Sequence, residues 1–309
     1  MLRCQAIFFH LVLLITLSTG ASLKEIGDVY GRLKKKYGLR YGYKENDYRF
    51  KIFTENYKLI EKHNAGNSSF KMEANRVTFL ESQEMAKIRS CLGDPGNEPS
   101  ATRLSQKSPT ISSRAGGHTF AGEAINWVNN GAVTPPKDQG DCGSCYAFAA
   151  QAATSTPNKM GHATTPSSRT REINVYRQEV GDLRSFDIRI IPPRDSQLVA
   201  THLRLGPVAV GISANSHEFQ QYKGGVFDSQ ECNGKPDHAM LLVGFGTDTN
   251  VGKDYWILKN SRGEEWGEGG YMRIVKKQDE RPDGPCNMFV MPPTRPNLSR
   301  AHPGAQCRA

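Results

Sequence analysis

One stretch decides the fold of this 309-residue chain: Gln139-Gly140-Asp141-Cys142-Gly143-Ser144-Cys145-Tyr146-Ala147-Phe148-Ala149. It places Cys145 after a Gly-Ser pair and at the start of an apolar, alanine-rich run, which predicts a buried helix beginning at this cysteine. The positive end of a helix favours a thiolate over a thiol. The first turn also offers backbone N–H groups that can receive the oxyanion of an attacked carbonyl. The pattern therefore indicates acyl-transfer chemistry with Cys145 as the nucleophile.

Other segments supply candidates for the base and for the groups that assist it. His238 opens an apolar, strand-like run, so the base would sit on a rigid element. Asn260 follows a half-buried strand-like run, and its neutral amide can fix an imidazole ring. Gln139 lies six residues before Cys145, within reach of the same pocket, where its side-chain N–H can donate to the oxyanion. The sequence thus predicts a catalytic set of Cys145, His238, Asn260 and Gln139.

These segments resemble the papain family of cysteine proteases over about residues 24–150 and 175–290. Residues 142–146 fit its nucleophile signature C-G-[SA]-C-[WY] at every position. The segments around His238 and Asn260 are similar to the family's histidine and asparagine segments and follow in the same order. The resemblance implies an α+β, two-lobed fold, with a helical lobe carrying the cysteine and a β-barrel-like lobe carrying the base. It also implies a cysteine endopeptidase that cleaves peptides or proteins without a metal or a cofactor.

The region before this signature has helical periodicity over residues 24–64. Six of its residues fit the E-x3-R-x3-F-x2-N-x3-I-x3-N motif of cathepsin L-like propeptides: Glu45, Arg49, Phe53, Asn56, Ile60 and Asn64. This similarity implies a helical propeptide that inhibits its own peptidase domain and is removed at acidic pH. A second propeptide motif survives only as a remnant around Asn75.

Composition suggests four parts. Residues 1–20 combine an early arginine with an apolar run and small residues, which predicts a secretory signal peptide too short to span a membrane. Residues 21–116 would be the propeptide with its Gly-, Pro-, Ser- and Thr-rich linker, and the mature chain would begin between Gly116 and Ala121. Residues 117–291 would form the peptidase domain. The tail 292–309 lacks apolar periodicity and is expected to be loosely ordered.

Charge and composition limit the possible partners. The net charge of +9 is mildly basic, and Lys34-Lys35-Lys36 is too short for a nucleic-acid-binding arm, so a solvated helix face explains it better. No later segment approaches 18 consecutive apolar residues. We therefore expect no nucleic-acid partner, no membrane span, and a monomer that acts in lysosomes or outside the cell.

The cysteines fit an oxidising compartment. Cys4 would be lost with the signal peptide, and a reduced Cys145 would leave five for pairing: Cys91, Cys142, Cys232, Cys286 and Cys307. At least one of those thiols would then be unpaired. The family resemblance implies a disulfide between Cys232 and Cys286. The pairing of the other three stays open.

The chain departs from the family at two places. His238 lies 93 residues after Cys145, whereas the family's histidine follows at about 130–150 residues. The missing part falls around residues 154–174, which in relatives completes the helical half and holds the disulfide partner of Cys142. Arg262 stands where the family usually has a tryptophan that covers the Asn–His hydrogen bond. We expect the arginine to admit solvent and to disfavour an imidazolium.

These departures leave three interpretations. The first is an active endopeptidase made as a zymogen. The second is a catalytically impaired homologue that binds or inhibits, with its propeptide-like domain acting on other cathepsins. The third is an incomplete splice or gene product interrupted around residues 154–174.

Overall fold

The computed structural model describes residues 21–89, 124–141, 143–154, 187–277 and 282–297. The predicted signal peptide, the linker, the mature start and residues 155–186 lie outside them. Contacts divide the chain into two units. The first contains the residues up to Asn67 together with Ala74–Leu80, and the second contains Ser68–Glu73 and the chain from Glu81 onward.

The first unit consists of two helices and a short 3-10 turn. Helix α1 spans Leu23–Lys36, α2 spans Tyr43–Ala65, and the turn spans Arg76–Phe79. Helix α1 begins where a capping box forms: Ser22 Oγ accepts from the Glu25 amide at 3.3 Å, and the Ser22 amide donates to the Glu25 carboxylate at 2.7 Å.

An aromatic core holds this unit together. The ring of Tyr30 lies 5.2 Å from Phe50, 5.4 Å from Phe53 and 5.2 Å from Phe79, measured between centroids. Three of these packed rings lie on α1 and α2 and the fourth on the 3-10 turn. Such aromatic contacts add to the free energy gained from apolar burial.

The six-residue motif of α2 explains why the turn is held against it. Asn56 Nδ2 donates to the carbonyls of Thr78 at 2.9 Å and Leu80 at 3.2 Å. Arg49 Nη1 donates to the Phe79 carbonyl at 3.2 Å, while its Nε lies 3.5 Å from the Glu45 carboxylate. The apolar motif residues are buried. The spacing of the motif thus places its polar members on the turn's carbonyls and its apolar members in the core.

The second unit is built on a mixed sheet. Its strands among the described residues are β1 (Phe70–Met72), β2 (Ile125–Asn126), β3 (Asp187–Ile190), β4 (Val208–Ile212), β5 (Tyr222–Phe227), β6 (His238–Asp248), β7 (Lys253–Lys259), β8 (Tyr271–Val275) and β9 (Thr294–Asn297). The order is β1-β5-β8-β7-β6-β4-β9-β3, and β2 pairs with β6. Strands β5 and β8 are parallel, and the other pairs are antiparallel.

Four α-helices of the described part accompany the sheet: α3 (Ser82–Arg89), α4 (Cys145–Thr154), α5 (Ser196–Leu203) and α6 (His217–Gln220). The predicted buried helix at Cys145 is therefore present. Strand β6 is central, and nine consecutive residues from its start are buried, as expected for a strand covered on both faces. A disulfide joins Cys232 to Cys286, the pair implied by the family resemblance.

The expectation of a loosely ordered tail is wrong for its first part. Thr294–Asn297 forms β9, which lies between β4 and β3 and pairs with Asp187–Ile190 along its whole length. Arg295 Nε also donates to His202 Nδ1 at 3.3 Å. The sequence gives no strand signal here because the order comes from backbone pairing with distant strands, and apolar alternation contributes little.

Candidate active site

Helix α4 brings Cys145 against the start of β6. Cys145 is the first residue of α4 and is fully buried in a cluster with Ala149 and Ala239. The amide of Ala239 donates to Cys145 Sγ at 3.1 Å. Small side chains on both elements allow this approach, because alanine adds only a methyl group between helix and strand. The sulfur therefore contacts the residue that follows His238.

Cys145 is disulfide-bonded in this structure, and its partner lies outside the described residues. In this structure Cys145 is therefore not the reduced thiol that the catalytic prediction requires. A sulfur held in a disulfide is not a thiolate and cannot attack a carbonyl as one. Any nucleophilic role for Cys145 requires its reduction first.

His238 and Asn260 meet at the ends of two paired strands. His238 is the first residue of β6, and Asn260 follows the last residue of β7. His238 Nε2 lies 2.8 Å from Asn260 Oδ1. The same Oδ1 accepts from the Ser261 amide at 2.8 Å, which identifies this atom as the amide oxygen. His238 Nε2 is therefore the protonated nitrogen, and in the neutral ring Nδ1 is the acceptor.

Aromatic side chains cover this pair from solvent. His238 is 1% exposed and Asn260 3% exposed. The ring of Phe219 lies edge-on to His238 at 6.4 Å, and Trp266 packs on Phe219 at 5.6 Å. The expectation that Arg262 admits solvent to the pair is therefore wrong. The sequence marks neither aromatic residue, since the four-residue α6 carries no motif that points to Phe219.

A short ribbon positions Gln139. Its amide donates to the Ser261 carbonyl at 2.9 Å, and the Gly263 amide donates to the Lys137 carbonyl at 3.1 Å. Between them, Asp138 and Arg262 form a β-bridge. The Ser261 hydroxyl donates to Gln139 Oε1, so the amide oxygen is turned toward Ser261 and its nitrogen away from it. The loop after Asn260 thus orients Gln139 directly.

A buried lysine side chain lies next to Asn260. Lys259, the last residue of β7, is 6% exposed, and its Nζ donates to Thr134 Oγ1 at 3.2 Å. Burial, together with the positive charge of Lys137, lowers the pKa of Lys259 to about 8. Among the described residues, no group of three or more His, Cys, Asp or Glu side chains could hold a metal ion.

Comparisons with known proteins support the resemblance drawn from the sequence. A profile of the papain family cysteine protease domain matches residues 121–175 and 167–291, which together make up more than half of the chain. The chain belongs to the papain family of cysteine proteases. A cathepsin propeptide inhibitor domain (I29) matches residues 30–85. The two pieces of the protease match meet where the sequence places the missing stretch.

Individual relatives agree with this assignment. The chain is 31% identical to cysteine endopeptidase RepA of Oryza sativa subsp. japonica, over 78% of this chain and 75% of RepA. It is 28% identical to mouse cathepsin J, over 79% of this chain and 85% of that protein. The digestive procathepsin L2 proteinase of Tenebrio molitor has the same fold, with a TM-score of 0.69 at 24% identity, covering 88% of this chain and all of that one. The predicted α+β papain-like fold is confirmed.

Proposed function

We propose that this papain-family chain is a cysteine endopeptidase made as a zymogen, with Cys145 as nucleophile and His238 as base. One observation carries the proposal. Cys145 Sγ accepts a hydrogen bond from the amide that follows His238, while His238 Nε2 is bonded to Asn260. The Cys145 sulfur therefore contacts the residue directly after His238, whose own ring is held by Asn260.

The proposed reaction begins with reduction, in which two external thiols supply two electrons and two protons, become a disulfide themselves and release Cys145 as a free thiol. His238 Nδ1 takes the thiol proton, and Asn260 keeps hold of Nε2–H throughout. The thiolate attacks the peptide carbonyl, and the Gln139 side-chain amide and the Cys145 backbone amide donate to the oxyanion. His238 then protonates the leaving amine. Water hydrolyses the thioester and returns the proton to the pair.

In this proposal the inhibitor domain keeps the protease domain inactive until the zymogen is processed. Its strand β1 pairs with β5 of the protease domain, where Phe70 lies opposite Gly225. The Ser69 hydroxyl donates to the Val226 carbonyl at 2.7 Å, and the Val226 amide donates to the Ser69 carbonyl at 2.8 Å. Lys223 and Glu73 form an exposed ion pair at 2.7 Å. These contacts tie the residues between the two helical parts of the propeptide to the protease sheet.

The remaining features of the proposal come from the sequence. The signal-like start at residues 1–20 supports entry into the secretory pathway, and hence a lysosomal or extracellular location. Among the described residues, no helix combines the length and the apolar character needed to cross a membrane. We propose that the enzyme acts as a monomer on peptides or proteins.

Covalent labelling tests the nucleophile. The secreted full chain would be acidified, treated with a reducing thiol and incubated with an epoxide inhibitor of cysteine proteases, and the labelled residue would be identified by peptide mass spectrometry. We expect modification at Cys145 only after reduction, and peptide hydrolysis to fall in step with labelling.

Two variants control this experiment. Cys145→Ala should lose both labelling and turnover, and His238→Ala should slow labelling because it removes the base. If Cys145 in folded, reduced and processed protein stays unlabelled while a related active cathepsin is labelled in the same tube, the proposed function is wrong.

A further inference from the structure

A short loop connects helix α2 to strand β1. Helix α2 ends at Ala65, and β1 begins at Phe70. Gly66 leaves the helix in an extended conformation, with φ −81° and ψ 167°, and Asn67 and Ser68 belong to neither helix nor strand. Asn67 is exposed, whereas Phe70 is buried. The loop therefore presents the Asn67 side chain to solvent.

The loop carries an acceptor sequence for N-linked glycosylation, Asn67-Ser68-Ser69. Transfer of an oligosaccharide requires an asparagine, a middle residue other than proline, and a serine or threonine two positions after the asparagine. This triplet meets all three conditions. Short triplets also arise by chance, and a bulky glycan can be carried only where the asparagine lies at the surface. The exposed position of Asn67 meets that structural condition.

The serine that completes the triplet has a second role in the folded chain. Ser69 Oγ donates to the Val226 carbonyl at 2.7 Å and accepts from Lys253 Nζ at 3.2 Å. Lys253 is itself paired with Asp228 at 2.8 Å. Because a hydroxyl has one hydrogen, that hydrogen is committed to Val226 once β1 has paired with β5. A transferase that needs this hydroxyl must therefore act before the two strands pair.

We propose that Asn67 is N-glycosylated as the chain enters the secretory pathway, before β1 pairs with β5. The inference rests on the secretory route of the proposed function. The donor is an oligosaccharide joined to a lipid through a diphosphate. Asn67 Nδ2 loses one proton and bonds to the anomeric carbon of the first sugar, while the bond from that carbon to the diphosphate oxygen breaks. The lipid diphosphate leaves with the electron pair of that bond, and nothing is oxidised or reduced.

The glycan at Asn67 would be carried by the zymogen and lost on processing. Asn67 lies within residues 30–85, which match the propeptide inhibitor domain. In the proposed function this domain is cut away from the protease domain. We therefore expect the sugar on Asn67 to leave with the released propeptide.

Peptide mass spectrometry tests the modification. The full chain carrying Cys145→Ala, which prevents self-cleavage, would be expressed in cultured animal cells and purified from the medium and from the microsomal fraction. One portion would be treated with the amidase that releases N-linked glycans and leaves aspartate at the attachment site. We expect aspartate at position 67 in the treated portion and a glycopeptide there in the untreated one.

Three variants separate the glycan from the hydrogen bonds of Ser69. Asn67→Gln keeps the hydroxyl and should abolish the change in gel mobility that the amidase causes at this site. Ser69→Thr keeps both the acceptor sequence and a hydroxyl and should remain glycosylated. Ser69→Ala removes both, so its glycan should be lost and the pairing of β1 with β5 weakened. The stability of Asn67→Gln, compared with that of Ser69→Ala, then measures the hydrogen bonds alone.

Two results would contradict the modification, and they differ in meaning. A parent chain that reaches the medium with Asn67 unmodified overturns the glycosylation and leaves the proposed peptidase function standing. A chain that fractionates with the cytosol overturns the secretory route, and the glycosylation with it.

The order of the two events needs a separate experiment. Folded chain from cells in which synthesis of the lipid-linked donor is blocked would be incubated with detergent-solubilised microsomes and donor, beside a synthetic peptide of residues 62–74. We expect the peptide to accept the oligosaccharide and the folded chain to remain unmodified. Equal transfer to both acceptors would overturn the proposal that modification precedes strand pairing.

Discussion

The strands that carry His238 and Asn260 differ from the helix that carries Cys145 in how their positions are fixed. Strand β6 is paired on both edges, with β4 and β7, and begins with nine buried residues. Helix α4 has ten residues, is seated through small side chains such as Ala149, and runs directly into residues outside the described part. Sheet register fixes His238 and Asn260, the proposed base and its partner, whereas the proposed nucleophile Cys145 depends on the packing of one short helix.

This contrast shows which members of the proposed catalytic set are held by strand pairing and which one is not. A one-residue slip of β6 against β7 would turn His238 to the other face of the sheet, so the register of the pair is strongly specified. No such register holds α4, whose close approach depends on the absence of side-chain bulk. We therefore expect substitutions in the two regions to fail in different ways.

Removing the disulfide should have the largest effect on the sheet region. In Cys232→Ser/Cys286→Ser, the loss of the cross-link is expected to lower the free energy of unfolding by ~2–5 kcal/mol. Urea unfolding of the purified full chain measures the change. A destabilisation below ~1 kcal/mol would contradict the view that this region is held more firmly than α4.

Substitutions at Gln139 and Ser261 test the short ribbon that holds the Gln139 side chain next to Asn260. Gln139→Ala should reduce kcat by ~10²–10³-fold, since one donor to the oxyanion is lost, with little change in Tm. Ser261→Ala removes the hydroxyl that orients the amide and should give a smaller loss in the same direction. Steady-state hydrolysis of a peptide substrate by the reduced, processed enzyme provides the readout. A loss of kcat that is accompanied by a clear fall in Tm would indicate that Gln139 has a structural role instead.

Burial of Lys259 at the end of β7 should make the free energy of unfolding depend on pH. Its pKa in the folded protein, about 8, lies below its ordinary value of 10.5 in the unfolded chain. Between these values the unfolded state binds more protons, so the free energy of unfolding should rise with pH from 8 to 10.5, by roughly 3 kcal/mol at most. In Lys259→Met this pH-dependent contribution should vanish. Denaturant unfolding at several pH values and constant ionic strength measures it.

A larger side chain at the helix–strand contact should lower stability modestly and also disturb Cys145, the proposed nucleophile. Ala149→Leu inserts three carbon atoms against Cys145 and Ala239, with an expected cost of ~1–3 kcal/mol. Epoxide labelling should slow as α4 shifts, whereas the same change at the exposed neighbour Ala150 should leave both Tm and labelling unaltered. Unchanged labelling in Ala149→Leu would show that α4 is fixed by other contacts.

What the sequence predicted was local in character. Helix α4, the strand that opens at His238, and the amide after β7 follow from short runs of residue type, and the motif in α2 follows from fixed spacing. The features that it missed depend on distant partners. Strand β9 is ordered by pairing with β3 and β4, and Phe219 reaches His238 from α6.

The pairing of β1 with β5 has a consequence for how activation would end. Cutting the backbone after the inhibitor domain leaves these hydrogen bonds intact, so the first product is a two-chain complex in which the released segment still occupies the sheet edge. Rebinding then depends on concentration, because a tethered partner has become a diffusing one. Dilution should therefore complete activation, and concentrated samples should retain the severed propeptide. A methyl group at Gly225, which would collide with the backbone of Ser69 and Phe70, should remove that dependence.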